Sequence, residues 1–541
     1  MSQLYSSSVT VGRFLILCAC CAICFSLGTL GSQASAQTSK PIGGGNPPPP
    51  PVDVAPNIPD RAGGVTLSDF QPLVSLIQNT INTELWSEAG GSGSIVPYAQ
   101  GVFADAGGTL KFEPANKAKV SDKALADFVD NSPIAKAVKA RPVELGDARQ
   151  ATELRFISLP RLEAALANHI KERKALPAEV LTLAGLQRIQ YVIVVPATDE
   201  QPGDLILAGP AGDWRTEADG MIVSVDHQQP IVRIDDLLTL WRRPDPNEPF
   251  GVTINPTEAG LAAMQDHLAA TNGKAVKRAK RDAWVEGIRS SIGKQSVEFF
   301  SLKPDSHVAK ALLTADYHMK CIGMGIADPV DGMKSYLDTV KLGPNGEVPP
   351  MSVLRWWFAM NYQPVAVSEN NQVFELQGVG AKVLSENQLM AAQGKRIRTG
   401  KSEALNRQFA ASFSKQFKKI TEKYPIYDEL RNIFDLSLTL ALIDKQSLLV
   451  RSGWQPGLLL DPVALQLPKI QVASEVDTIA NYRVIDKKVI VAGVSGGVWV
   501  DSNKHYATQP KAIAGSLSEI RPQTVAATSD DQPIVWWWDR P

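Results

Sequence analysis

Cysteine is scarce in this 541-residue chain, and most of it lies where it could not staple a fold. Cys18, Cys20, Cys21 and Cys24 fall within the first 36 residues, and Cys321 stands alone in the remainder. If those first residues are removed, no intramolecular disulfide is possible, and stability must come from the core. An excess of one charge is also lacking. Lys and Arg number 55 against 56 Asp and Glu, a formal net charge of −1. That balance gives no bulk attraction to nucleic acid or to an anionic membrane. Beyond the first 36 residues no segment approaches the ~20 apolar residues of a membrane-spanning helix. Histidine is sparse too: none of the six forms H-E-x-x-H or a close pair, so the metal spacings are missing. The residues therefore indicate no metal site and no cofactor.

What is present begins with a secretory pattern. Arg13 is the only charge in the first 36 residues, Phe14 to Phe25 is an unbroken apolar run, and Ala34-Ser35-Ala36 closes the segment. This predicts a signal peptide cleaved after Ala36 and a periplasmic or secreted mature protein without a transmembrane segment. Residues 37–62, with Gly43 to Gly45 and Pro47 to Pro51, read as a disordered linker. Residues 63–113 read as a small helix-plus-strand element: Leu67, Phe70, Leu73, Val74, Ile77 and Ile81 keep a helical period. The glycines of Trp86 to Ile95 then force a turn.

A helical connector over 114–144 leads to an α+β core domain at 145–350. A second α+β part follows at 351–541, with long helices and a C-terminal hairpin. Strands are expected at 190–195, 204–208, 231–234, 297–302, 354–358 and 372–376, and a hairpin at 480–505. Helices are expected at 160–174, from Asp235 to Trp241, after Pro304-Asp305-Ser306, and through 402–451. Local hairpins and helices without regular βαβ alternation give a multi-domain α+β class, with mixed, mostly antiparallel sheets and packed helices.

Several motifs tempt a catalytic reading. Gly493-Val494-Ser495-Gly496-Gly497 satisfies G-x-S-x-G, and Asp501 and His505 follow in triad order. A nucleophile elbow needs a helix after the serine, whereas Val498 to Asp501 reads as a strand, so a hairpin turn is expected at the glycines. Gly394 to Ser402 (GKRIRTGKS) resembles a phosphate loop, but it has five residues between its glycines where four are required. The preceding Ser385 to Gln393 reads as helical, so a basic loop capping the next helix is expected. Lys274, Lys277, Arg278, Lys280 and Arg281 read as a solvated helix face rather than a nucleic-acid surface. Trp536-Trp537-Trp538 is either an edge strand packing alternate rings or a stacking platform for a sugar or peptide.

The most reactive run is Asp316-Tyr317-His318-Met319-Lys320-Cys321. At ~100° per residue, Val308, Leu312, Ala315, Met319 and Ile322 form one core stripe. Asp316 and Lys320 are an i,i+4 pair on one flank, and His318 and Cys321 lie on the other. His307 and His318 share a face, but eleven residues separate them by ~16 Å, too far to hold one ion. If the chain has an active site, Asp316, His318 and Lys320 are the candidate catalytic residues.

Three runs carry a resemblance: Gly185 to Val192 (GLQRIQYV), Ala315 to Lys320 (ADYHMK) and Leu354 to Phe358 (LRWWF). They resemble secreted planctomycete proteins that share a domain of unknown function, over about residues 145–505. Trp86 to Ile95 resembles a helix-plus-glycine-turn element found near secretin-like N-domains in the same bacteria. The resemblance implies compartment and class and carries no catalytic residue. The expected function is a non-catalytic binding or structural component of the cell envelope, with an envelope protein or polysaccharide as partner. The competing expectations are a secreted hydrolase with an unrecognised site and a secretion-system accessory protein.

Overall fold

The computed structural model describes residues 94–98, 101–105, 147–171, 176–199, 202–217, 220–270, 276–347, 353–390, 395–508, 512–520 and 537–538. The expected signal peptide, linker, amphipathic helix and connector lie outside the described residues. Of the 63–113 element, one antiparallel hairpin is described, Ser94–Tyr98 against Gly101–Asp105.

The alternation in Leu354-Arg355-Trp356-Trp357-Phe358 builds the centre of the fold. Leu354, Trp356 and Phe358 are fully buried, and Arg355 and Trp357 point to the other side of the strand Val353–Tyr362. This strand is the third of an eight-stranded sheet. From one edge the path runs Arg396–Arg398, Gly378–Met390, Val353–Tyr362, Lys488–Val500, Phe250–Pro256, Gln295–Phe300 and Glu475–Val476, and Ala480–Ile485 also pairs with Lys488–Val500. Every pairing is antiparallel except Val353–Tyr362 with Lys488–Val500. A six-stranded sheet runs Ala512–Ile513, Ala366–Val367, Val373–Glu375, Tyr191–Val195, Asp204–Ala211 and Thr152–Ser158. The architecture is α+β. Both sheets draw strands from either side of residue 350, and one apolar cluster runs through both, from Ile157 and Val192 to Phe250 and Phe358.

The helix Ile426–Lys445 lies within this core: 16 of its 20 residues are buried. An element buried all round cannot leave its polar groups to water, and three of them find partners on other segments. Asp435 accepts from Arg188 Nε at 2.9 Å and from Tyr362 Oη at 2.5 Å. Asn432 donates to the Pro230 carbonyl at 3.0 Å. Ser437 meets Ser502 at 2.5 Å.

Four local expectations are corrected. The Ser-Gly-Gly of residues 495–497 is not a turn but the middle of the long strand Lys488–Val500. Gly496 and Gly497 have φ of 156° and 153°, and a Cβ there would stand 1.5 Å from the Trp356 carbonyl oxygen and 1.9 Å from that of Val252. Glycine is required because neighbouring strands approach too closely for a side chain. The hairpin does exist, but its turn is Asp486-Lys487, whose φ values of 47° and 67° suit a two-residue primed turn. Ser385 to Met390, expected as helix, continues the strand Gly378–Met390, and Arg396–Arg398 pairs with it, so the GKRIRTGKS segment includes an edge strand rather than a cap. Ile231 to Arg233 is not a strand; it runs extended into the helix Ile234–Trp241. Trp537 and Trp538 are both buried, ring centroids 4.2 Å apart, with the Trp537 carbonyl accepting from Ser158 N–H. These two therefore cannot serve as a stacking platform, and Trp536 lies outside the described residues.

Candidate functional site

The helix His307–Gly323 forms because Ser306 caps it, accepting the Ala309 N–H at 3.2 Å. The expected stripe is present: Val308, Leu312, Ala315, Met319 and Ile322 are all fully buried. The flank that carries Asp316 and Lys320 is buried as well. Asp316 is 0% and Lys320 1% exposed, because the helix is covered by the strands Lys488–Val500 and Phe250–Pro256 as well as by Ile426–Lys445.

Lys320 Nζ touches Asp316 Oδ2 at 2.5 Å, an ion pair by distance that lacks hydrogen-bond alignment. Burial pushes the Asp316 carboxyl up, against the Lys320 ammonium and the Gly497 N–H. Burial also pushes the Lys320 ammonium down, against Asp316. Both shifts run toward a neutral pair, as low-dielectric surroundings dictate. Both groups are closed off from solvent.

His318 lies apart from them. Its Nδ1 bonds Tyr427 Oη at 2.9 Å, and its ring meets Tyr424 edge-on at 4.4 Å. Burial and the nearby Lys423 lower its pKa to about 4, so the imidazole is neutral at physiological pH. His318 also lines an open cavity of about 430 Å³, together with Tyr424, Ile426, Met221, Arg215 and Glu217. Arg215 and Glu217 form a half-exposed ion pair at 2.8 Å. The structure therefore pairs Asp316 with Lys320 and sets His318 in a different environment.

Cys321 is half-buried, and burial raises its thiol to about 11 despite Lys320, so it stays protonated and weakly nucleophilic. Ser495 is fully buried, and its hydroxyl donates to the Leu354 carbonyl inside the sheet. Neither forms an accessible nucleophile.

A second group of buried charge was not legible in the chain. His307 Nδ1 lies 2.9 Å from Asp236, and Nε2 lies 3.1 Å from Glu429. Arg233 grips Asp235 through two bonds of 2.9 and 2.7 Å. Burial and Arg233 depress the His307 pKa, but Asp236 and Glu429 outweigh them and lift it to about 9. The only sequence signal was the Asp235-Asp236 pair at a helix start; nothing in the spacing links 236, 307 and 429. Among the described residues, no group of three or more His, Cys, Asp and Glu side chains is arranged to hold a metal ion.

Residues 252–336 match the family described as protein of unknown function (DUF1598). The match takes in the helix His307–Gly323 with Asp316, His318 and Lys320, and the strands Phe250–Pro256 and Gln295–Phe300 beneath it. No curated protein and no solved structure matches the chain. Among the described residues, no helix is long and apolar enough to cross a membrane.

Proposed function

We propose that this chain is an extracytoplasmic, non-catalytic binding or structural component of the cell envelope. One observation carries the non-catalytic part: the reactive groups nearest one another, Asp316 and Lys320, are sealed in the core and neutralise each other. The group that does face a cavity, His318, is held as a neutral ring by Tyr427 and burial. General acid–base work needs a group near its titration point and within reach of substrate, and no such pair opens onto this cavity. The charged rim and apolar walls suit recognition of a small polar group. The Ala34-Ser35-Ala36 signal and the proline-rich stretch after it support the location.

The test is expression of the whole chain with a C-terminal tag in a bacterium that exports it, followed by fractionation and mass measurement. We expect an envelope-fraction protein starting at Gln37 that co-purifies with an envelope protein or polymer. Recovery of uncleaved chain from the cytosol would overturn the location. Hydrolysis in an ester, peptide and glycoside screen, lost on His318→Ala, would overturn the non-catalytic reading.

A further inference from the structure

We infer that the face of the large sheet rimmed by Arg355, Arg396 and the exposed Arg398 binds an acidic polysaccharide, with aromatic rings on the same face. The register places these arginines together. Arg355 pairs across the ladder with Glu386, and Arg398 and Arg396 lie opposite Gln388 and Met390 on the next strand. Alternation along a strand then puts all three side chains on one face, opposite the packed helices. Arg396 Nη1 reaches Asn255 Oδ1 at 2.7 Å, although their strands are four places apart in the sheet. Such a contact requires the sheet to curl, so the edge strand overhangs a concave surface.

The charges there do not balance. Glu386 lies 3.4 Å from Arg355, and its other oxygen already accepts the Gly400 N–H at 3.0 Å. Among the described residues no carboxylate forms an ion pair with Arg396 or Arg398; Glu258 and Glu298 act on Arg396 only at longer range. Three guanidinium groups thus have one directly paired carboxylate, with the exposed Glu298 further along the same face, and in a chain whose net charge is −1 the attraction for an anion is local. Guanidinium groups match carboxylate and sulfate oxygens in a bidentate manner.

The same face supplies flat apolar surfaces. Trp357 lies under the Arg355 guanidinium at 4.6 Å. Trp499, 46% exposed, leans on Phe300 with ring centroids 4.9 Å apart, an approach allowed because Gly251 stands between them in the ladder. Amphipathic rings beside guanidinium groups recognise a sugar ring that carries an acid group. The Trp499 and Phe300 rings lean on each other, leaving outward faces and no slot for a nucleic-acid base.

This extends the reading above to one class of partner and rests on it only for where the glycan is met; the residues are separate from the His318 cavity. The test is affinity electrophoresis of the whole mature chain through gels holding polygalacturonate, chondroitin sulfate, dextran or polyglutamate, with single-stranded DNA in a parallel titration. Retardation by at least one acidic glycan is expected, with none by dextran and at least tenfold weaker binding to polyglutamate and DNA. The exposed substitution Arg398→Glu should weaken glycan binding at least tenfold, and Trp499→Ala severalfold, with thermal melting unchanged. No retardation by either acidic glycan, equal binding of polyglutamate or DNA, or indifference to both substitutions overturns the site. That failure is distinct from recovery of uncleaved cytosolic chain, which overturns the location alone.

Discussion

At its first turn the helix His307–Gly323 holds an imidazole between Asp236 and Glu429, with Arg233 and Asp235 completing the group. Further along the same helix, Asp316 and Lys320 have chiefly each other. Both sets are buried, yet their carboxylates do not all respond alike. Arg233 holds Asp235 and His307 holds Glu429 below their usual range despite burial, whereas burial lifts Asp236 in the first set and Asp316 in the second. The difference is the number of opposite charges and bonds that replace water. One partner offsets only part of the desolvation of a buried ion, and a closed network offsets more of it. Charge on His307, Glu429 and Asp235 is therefore firmly held, and on Asp316 and Lys320 it is marginal.

Breaking the weaker set should have the largest effect. Lys320→Met leaves Asp316 buried alone and should cost about 3–5 kcal/mol in urea unfolding. The double variant Asp316→Leu/Lys320→Met should recover that loss, because an apolar pair of similar volume is often neutral or stabilising by about 1–4 kcal/mol. Equal loss in the single and double variants would show that the pair contributes more than mutual neutralisation.

The stronger set should show itself through pH. His307 is raised from 6.5 to about 9 in the folded chain. Its contribution is complete below pH 6.5 and is lost as pH rises through about 9. That amounts to roughly 3 kcal/mol, read as a falling unfolding free energy between those values. His307→Gln should flatten the profile, and a slope unchanged by the substitution would remove His307 as its source.

The smallest effect belongs to His318, which stands outside both sets. His318→Gln should cost about 0.5–1.5 kcal/mol, the net value of one hydrogen bond. With a folded pKa near 4 against 6.5, its stabilising contribution is present above pH 6.5 and lost as pH falls toward 4. The variant should therefore lose less stability on acidification than the parent. An identical acid limb in both chains would count against a neutral ring.

Much of the helix was legible from its own residues: the stripe from Val308 to Ile322 follows from a period of ~3.6 and a single covering surface. Burial of Asp316 and Lys320 was not legible, because the second surface comes from a strand and a helix more than a hundred residues further along. The Tyr427 partner of His318 was hidden for the same reason. The hairpin at 480–505 was readable from its apolar runs. Its turn was misplaced because glycine marks both turns and close strand approaches, and only the carbonyls of Trp356 and Val252 distinguish the two. The arginines of the edge strand were read as a loop cap, since a curled sheet leaves no local signature.

The strand Lys488–Val500 has a consequence for how the chain reaches its folded state. It is the last strand of the large sheet to be synthesised, yet it lies between Val353–Tyr362 and Phe250–Pro256. Until it emerges, those two strands present open edges that cannot pair with each other, so the sheet closes only when almost all of it exists. Such long-range closure is slow, and the waiting edges are prone to intermolecular pairing. A chain stopped before residue 488 should therefore be a substrate for chaperones rather than a smaller folded protein, and folding should behave as one late, concerted event.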